Sequence, residues 1–101
     1  MTAKANRSHD LAVVEMLKAD PAFANEYLAV ALEEADQAGG QQALLMALRH
    51  IAEAQGMSSV AERAGIPRES LYRALGARGN PTIKTLLAIL SATGQQLSVS
   101  R

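Results

Sequence analysis

The chain has 101 residues, with ten Lys and Arg side chains against ten Asp and Glu, and 49% of its residues are apolar. That length suits one domain with a short appendage. Twenty residues are Ala and three are aromatic, a composition that favours closely packed helices over a β-sandwich. The absence of Cys excludes a disulfide scaffold, a Cys-ligated zinc site and thiol catalysis.

The sequence predicts neither a membrane span nor a secretory signal. The longest uncharged stretch, residues 85–100, is interrupted by Gly94 and the two glutamines after it. Near the N-terminus, His9 and Asp10 stand where a signal peptide would have an apolar run. We therefore expect a cytoplasmic protein with no membrane partner.

The zero formal net charge combines two halves of opposite sign. Residues 1–55 carry four basic and eight acidic groups, a net charge of −4, and residues 56–101 carry six basic and two acidic groups, a net charge of +4. This asymmetry suggests two different partners, one of them a polyanion, although ordinary solvated faces would produce the same count.

Residues 1–8 are polar and predict a disordered N-terminus, and residues 9–40 predict two helices. The apolar stripe of the first helix consists of Leu11, Val14 and Leu17. Asp20 and Pro21 predict the start of the second helix, with Asp20 as its N-cap. Gly39 and Gly40 mark the break that follows.

Residues 41–101 predict four short helices and a terminal strand. Ser58 is placed to cap the second of these helices and Gly65 to close it. Asn80, or its neighbour, is placed to cap the fourth, with Pro81 just inside the helix. Residues 96–100 alternate polar and apolar side chains, as a strand does, and one strand needs a partner strand or a second copy.

Residues 57–75 carry the most functional information, because they predict two helices of about two turns joined by a tight bend. Ala61 is small where the helices cross, and Gly65 lies where the bend needs a positive φ. The apolar positions that would face a shared core are Val60, Ala64, Ile66, Leu71 and Ala74. The pattern predicts a helix-turn-helix, with a merely structural helical hairpin as the alternative.

The second helix of that motif has a polar outer face suited to DNA. A helix fits the major groove, and its N-terminal residues reach base edges. The predicted base-contacting residues are Arg68, Glu69, Tyr72 and Arg73. Arg68 suits guanine, and Glu69 suits cytosine N4 or the orientation of an arginine. The alternatives are a Tyr72 ring packed on Leu75 and a solvated Arg73.

Phosphate contacts are expected on either side of this helix, at helix N-termini and in the loop between helices. The predicted phosphate-contacting residues are Ser58, Ser59, Arg78, Asn80, Thr82 and Lys84. For Ser58 and Asn80, helix capping alone is the alternative.

Nothing in the sequence predicts an enzyme, a metal site or a cofactor. His9 and His50 are far apart and lack the spacing of metal ligands, and we interpret His50 as a surface or boundary residue. Glu33 and Glu34 are adjacent, so they lie on different faces of a helix and make a poor acid–base pair.

Several stretches, taken in order, match those of a known family: Tyr27-Leu28, Ala47-Leu48 with Ile51-Ala52, Gly56-Met57-Ser58, Ala61, Gly65, Arg68-Glu-Ser-Leu-Tyr72, Ala74-Leu75, Gly79-Asn-Pro81 and Leu97-Ser-Val99. With them, residues 10–100 resemble the addiction-module antidote proteins, HigA-like antitoxins with a Cro/repressor-type helix-turn-helix. The sequence departs from that family at Ser59, where Gln is usual, and at Pro67, where a Ser commonly caps the recognition helix.

The resemblance implies a type II antitoxin that neutralises a RelE-like, mRNA-cleaving toxin and represses its own operon. Such toxins are typically small and basic, which suits the acidic first half of this chain. The predicted toxin-binding residues are Leu11, Val14, Leu17, Phe23 and Tyr27. The alternative is that these side chains cover the core.

We therefore predict an all-α fold: a lambda-repressor-like helix-turn-helix domain of about five helices, with an N-terminal helical extension and a short C-terminal strand. A homodimer is expected, because one short recognition helix reads too little sequence, and Leu97 and Val99 are its predicted interface residues. The rival functions are a stand-alone helix-turn-helix regulator without a toxin and a helical protein-interaction module.

Overall fold

A computed structural model describes the backbone of residues 3–95 and the side chains of residues 9–95. This part of the chain consists of six α-helices and contains no strand. The helices are α1 (Ala3–Ala19), α2 (Phe23–Glu33), α3 (Gly40–Gln55), α4 (Met57–Ala64), α5 (Arg68–Ala74) and α6 (Ile83–Ala92). The all-α prediction is confirmed for these residues, and the predicted strand, with Leu97 and Val99, lies outside them.

The helix α3 is the centre of the fold. Both α1 and α2 pack against it on one side, and α4 packs against α3, α5 and α6. The largest fully buried side chains are Leu48, Ile51, Val60, Leu71, Leu75 and Ile89. Burying one such side chain stabilises the fold by about 1.5–3 kcal/mol, so these residues fix the orientation of the short helices.

The bend between α4 and α5 forms as the sequence predicts. Gly65 has φ 74°, in the left-handed region that a side chain disfavours. Its N–H donates to the Glu62 carbonyl at 3.1 Å, and the Ile66 N–H donates to the Ala61 carbonyl at 3.1 Å. Pro67 is extended and directly precedes the first residue of α5. The bend therefore ends α4 and starts α5 within three residues.

The predicted cap of α4 is wrong. Gly56, with φ 100°, both ends α3 and precedes Met57, so a single glycine joins the two helices. Its carbonyl accepts a hydrogen bond from the Val60 N–H at 3.0 Å. Ser58 consequently lies inside the first turn of α4 and caps nothing there.

The predicted caps of α2 and α6 also differ from the structure. Thr82 caps α6, since its Oγ1 accepts from the Thr85 N–H at 3.1 Å. Asn80 is therefore not the cap, and Pro81 precedes the helix. Ala22 precedes α2 without any side-chain capping bond, and the Asp20 carbonyl accepts from the Phe23 N–H at 3.0 Å in the turn before the helix.

The described backbone begins in α1, and the predicted disorder of residues 1–8 stays a prediction. Helix α1 begins at Ala3, so the backbone of residues 3–8 is helical. This short segment contains Ala, Lys and Arg, which are strong helix formers. The predicted boundaries between residues 8 and 9 and between 40 and 41 stay predictions.

Candidate nucleic-acid interface

The outer face of α5, which we define as Arg68, Glu69, Tyr72 and Arg73, is open to solvent. Arg68, Glu69 and Arg73 are exposed, and Tyr72 is half-buried. The opposite face of the same helix carries Leu71, which is fully buried in the core. The burial of that face leaves Arg68, Glu69 and Arg73 exposed, whereas Tyr72 is only partly accessible.

Tyr72 lies between the core and this face. Its ring packs partly against the core cluster. Arg68 donates from Nη2 to the Tyr72 hydroxyl at 3.3 Å, and its Cζ lies 5.4 Å from the ring centroid. The Cζ of Arg49, on α3, lies 5.9 Å from the same centroid. Tyr72 thus contacts arginines from two helices, a relation that the sequence did not indicate.

The six predicted phosphate-contacting residues are all exposed. Ser58 and Ser59 lie in the first turn of α4, whereas the other four lie between α5 and the first turn of α6. Arg78 and Asn80, with Arg73 from α5, line an open groove of about 460 Å³. Within residues 9–95, none of the cations of this groove forms an ion pair. A phosphate chain would therefore meet uncompensated positive charge there.

One cation of the basic half is committed elsewhere. Arg63 donates from Nε to the Ala92 carbonyl at 2.8 Å and from Nη2 to the Gln55 side chain at 3.0 Å. It satisfies the C-terminal end of α6. Arg63 therefore has a structural role, whereas Arg68, Arg73, Arg78 and Lys84 are exposed cations.

The five predicted toxin-binding residues divide into exposed and packed positions. Leu11 is 61% exposed, whereas Val14 and Leu17 are buried. Phe23 and Tyr27 are half-buried and pack against the core cluster. The core alternative thus describes the packing of four of the five, and Leu11 remains open to a partner.

The structure contains a buried polar cluster that the sequence did not predict. His50 is 2% exposed, so its interpretation as a surface or boundary residue is wrong. Its Nε2 lies 2.9 Å from the Asp10 carboxylate, and its Nδ1 lies 2.6 Å from the Tyr27 hydroxyl. With its proton on Nε2, the imidazole donates to Asp10 and accepts from Tyr27. The cluster joins α1, α2 and α3.

A signal for this burial was present in the spacing. His50 follows Ala47 by three positions and precedes Ala54 by four, which places it near the apolar face of α3. The pairing with Asp10, forty positions away, has no local signal. Burial, followed by the negative charge of Asp10, raises the pKa of Tyr27 above its ordinary value of 10.0, so the hydroxyl keeps its proton and donates it.

The part of the chain that the structure describes has no group of His, Asp and Glu arranged to hold a metal ion. None of its helices is long and apolar enough to span a membrane. These described residues do place α5, a short helix with exposed cations, on the surface directly after the bend at Gly65.

The chain belongs to the family described as "Probable addiction module antidote protein", which matches residues 7–101. Membership points to the antitoxin of a toxin–antitoxin pair and implies a toxin partner. A relative from Haemophilus influenzae, described as an uncharacterized protein, is 40% identical over 76 residues, which cover 75% of this chain and 78% of the relative. No solved structure matches the chain.

The Asp10–His50–Tyr27 cluster predicts a stability effect with a pH signature. Replacing Tyr27 with Phe leaves Nδ1 of buried His50 without a partner, which should lower the free energy of unfolding by about 1–3 kcal/mol. Because the pKa of Tyr27 is raised on folding, its stabilising contribution is complete below pH 10.0 and is lost as the pH rises through the folded-state value.

Urea denaturation between pH 7 and 11 measures both effects. The wild type should lose stability above pH 10.0 relative to Tyr27→Phe. Tyr72→Phe, which removes an exposed-side hydroxyl, is the control and should change the free energy of unfolding by less than about 0.5 kcal/mol. Equal stability of the wild type and Tyr27→Phe at pH 7 would contradict the assigned hydrogen bond.

Proposed function

We propose that this protein is a type II, HigA-like antitoxin that binds its operator through a lambda-repressor-like helix-turn-helix and neutralises a RelE-like toxin. The exposed outer face of α5, presented directly after the Gly65 bend, is the observation that carries the DNA-binding part. Membership of the antidote family supports the toxin-binding part. The proposal assigns the protein no catalytic role and no cofactor.

The proposed DNA interface consists of α5, whose outer face contacts base edges, and of the adjacent groove, whose cations contact phosphates. Arg68 stands at the N-terminus of α5, the part of a recognition helix that reaches base edges. Its guanidinium is partly oriented by Tyr72, which lowers the entropy lost when it binds a guanine. The groove with Arg73 and Arg78 adds positive charge for the phosphate backbone.

Arg68 and Arg78 should contribute differently to binding. Arg68→Gln should weaken binding to the DNA upstream of the protein's own reading frame by about 1–3 kcal/mol and lower its preference over an unrelated duplex. Arg78→Gln, the matched control, should weaken binding to both duplexes equally. Fluorescence anisotropy at fixed salt measures the four affinities. Normal operator preference of Arg68→Gln would show that the base-reading face lies elsewhere.

The proposed toxin surface is acidic. All of the acidic side chains between residues 15 and 36 are exposed, and within residues 9–95 only Glu15 among them forms an ion pair, with Lys18 at 3.5 Å. Leu11 adds exposed apolar area to α1. A small basic toxin is complementary to this charge, which favours fast association and selects the partner.

Charge reversal on α2 tests the toxin part. Glu26 and Glu33 are exposed and seven positions apart, so they share one face of α2. The double variant Glu26→Lys with Glu33→Lys should reduce capture of the protein encoded by the neighbouring reading frame in co-expression and pull-down. Glu62→Lys, an equally exposed reversal on α4, should leave capture unchanged.

Operator binding is measured on the same double variant. Loss of capture with DNA binding intact supports a separate toxin surface. DNA binding by the wild type without any capture of the neighbouring protein would favour a stand-alone regulator.

A second copy of the chain completes the proposed repressor, because two half-sites give the specificity that one short helix lacks. Helix α6 exposes Ile83 (70%) and Leu87 (50%), which are one turn apart. This helix leads to the predicted interface residues Leu97 and Val99. We assign the exposed face of α6 to the dimer contact.

Leu87→Lys should therefore weaken self-association, since it places a charge in an apolar contact. Analytical ultracentrifugation across a concentration series measures the change. Met16→Lys, on α1, changes a side chain of similar exposure and should sediment as the wild type does. Unchanged sedimentation of Leu87→Lys would exclude α6 from the interface.

A further inference from the structure

Arg49 lies in the acidic half of the sequence but beside the outer face of α5 in the fold. It extends from α3, and its Cζ lies 5.9 Å from the centroid of the Tyr72 ring. The Cζ of Arg68 lies 5.4 Å from the same centroid. A cation from α3 and the arginine at the start of α5 therefore contact the same ring.

The guanidinium of Arg49 is oriented and only partly used. Its Nε donates to the Glu53 carboxylate at 3.1 Å, one turn further along α3. Among the described residues, this is its single hydrogen bond, and the side chain is 35% exposed. The two Nη groups form the edge of the guanidinium beyond Nε, with donors spaced to match two phosphate oxygens.

Arg63 shows what an arginine with a structural role looks like in the same fold. Its Nε and one Nη both donate to groups of the protein, the Ala92 carbonyl at the end of α6 and the Gln55 side chain of α3. Arg49 instead keeps its Nη edge free among the described residues and lies within cation–π distance of Tyr72, a side chain of the outer face. The contrast indicates a ligand-binding use for Arg49.

We infer that Arg49 binds a backbone phosphate of the DNA whose bases face α5, next to the Tyr72 ring that both Arg49 and Arg68 contact. The inference rests on the proposed DNA-binding function. The hydrogen bond to Glu53, together with the contact with Tyr72, restricts the side chain before DNA arrives, so less entropy is lost on binding. A phosphate contact carries no sequence information, so this residue adds affinity rather than specificity.

The salt dependence of binding tests this role. Each phosphate neutralised contributes about 0.9 to the slope of log affinity against log salt concentration. Arg49→Gln should therefore lower the slope by up to about 0.9, and its affinity loss should shrink by up to about 3.5-fold between 50 and 200 mM salt. The loss should be equal for the upstream duplex and an unrelated duplex.

Two further variants separate this role from packing or general charge. Arg49→Lys keeps the charge but not the planar fork, so it should restore the slope and only part of the affinity. Lys18→Gln removes an exposed cation from α1, where we place no DNA, and should behave as the wild type does. Urea denaturation of each variant shows whether the fold is retained.

The outcomes distinguish this inference from the proposed function. A lowered slope for Arg49→Gln, restored by Arg49→Lys, establishes the phosphate contact. A wild-type slope for Arg49→Gln, with or without loss of stability, overturns the inference alone. Failure of the wild type to bind either duplex overturns the proposed function and this inference together.

Discussion

Burial of one face of α5 is the constraint on which the proposed interface depends. A helix of seven residues has little stability of its own, so its orientation is set by what it buries. Leu71 lies in the centre of the core, and Leu75, directly after the helix, is buried beside it. Rotating α5 to hide Arg68 would expose both leucines, at a cost of about 1.5–3 kcal/mol each. The core therefore presents the outer face.

Two adjacent residues of the central helix α3, Arg49 and His50, contact different parts of the fold. Successive side chains on a helix point in different directions, so Arg49 and His50 leave α3 on different sides. His50 bonds to Asp10 and Tyr27 and holds the N-terminal helices, whereas Arg49 reaches Tyr72 on α5. Adjacent residues of one helix thus contact the N-terminal helices on one side and α5 on another.

Local signals predicted the parts of the fold that local physics decides. The Gly65 bend was predictable because a positive φ at the end of a helix requires a residue without a side chain. Ser58 was predicted as a cap because Ser is a common N-cap residue. Gly56, two positions earlier, instead ends α3 and directly precedes the first residue of α4. Where two local signals predict different starts for one helix, the path of the surrounding chain determines where the helix begins.

Long-range pairings had no such signal. A lone histidine on an amphipathic helix is predicted at the boundary, because burying it requires partners for both ring nitrogens. The partners of His50 come from Asp10 and Tyr27, on two other helices. The same holds for the site: the residues of α5 could be read from one motif, whereas the contact of Arg49 with Tyr72 appears only once α3 and α5 are packed.

The net charge of each half of the sequence consequently does not predict the charge of each surface of the fold. Arg63 belongs to the basic half of the sequence, yet its guanidinium donates to a carbonyl at the end of α6 and to the Gln55 side chain. Arg49 counts toward the acidic half, yet it joins Arg68 at Tyr72. A polyanion meets surfaces, and its affinity depends on the cations whose donors remain available there. The fold, and not the position in the sequence, therefore determines which surface each of these two arginines contributes to.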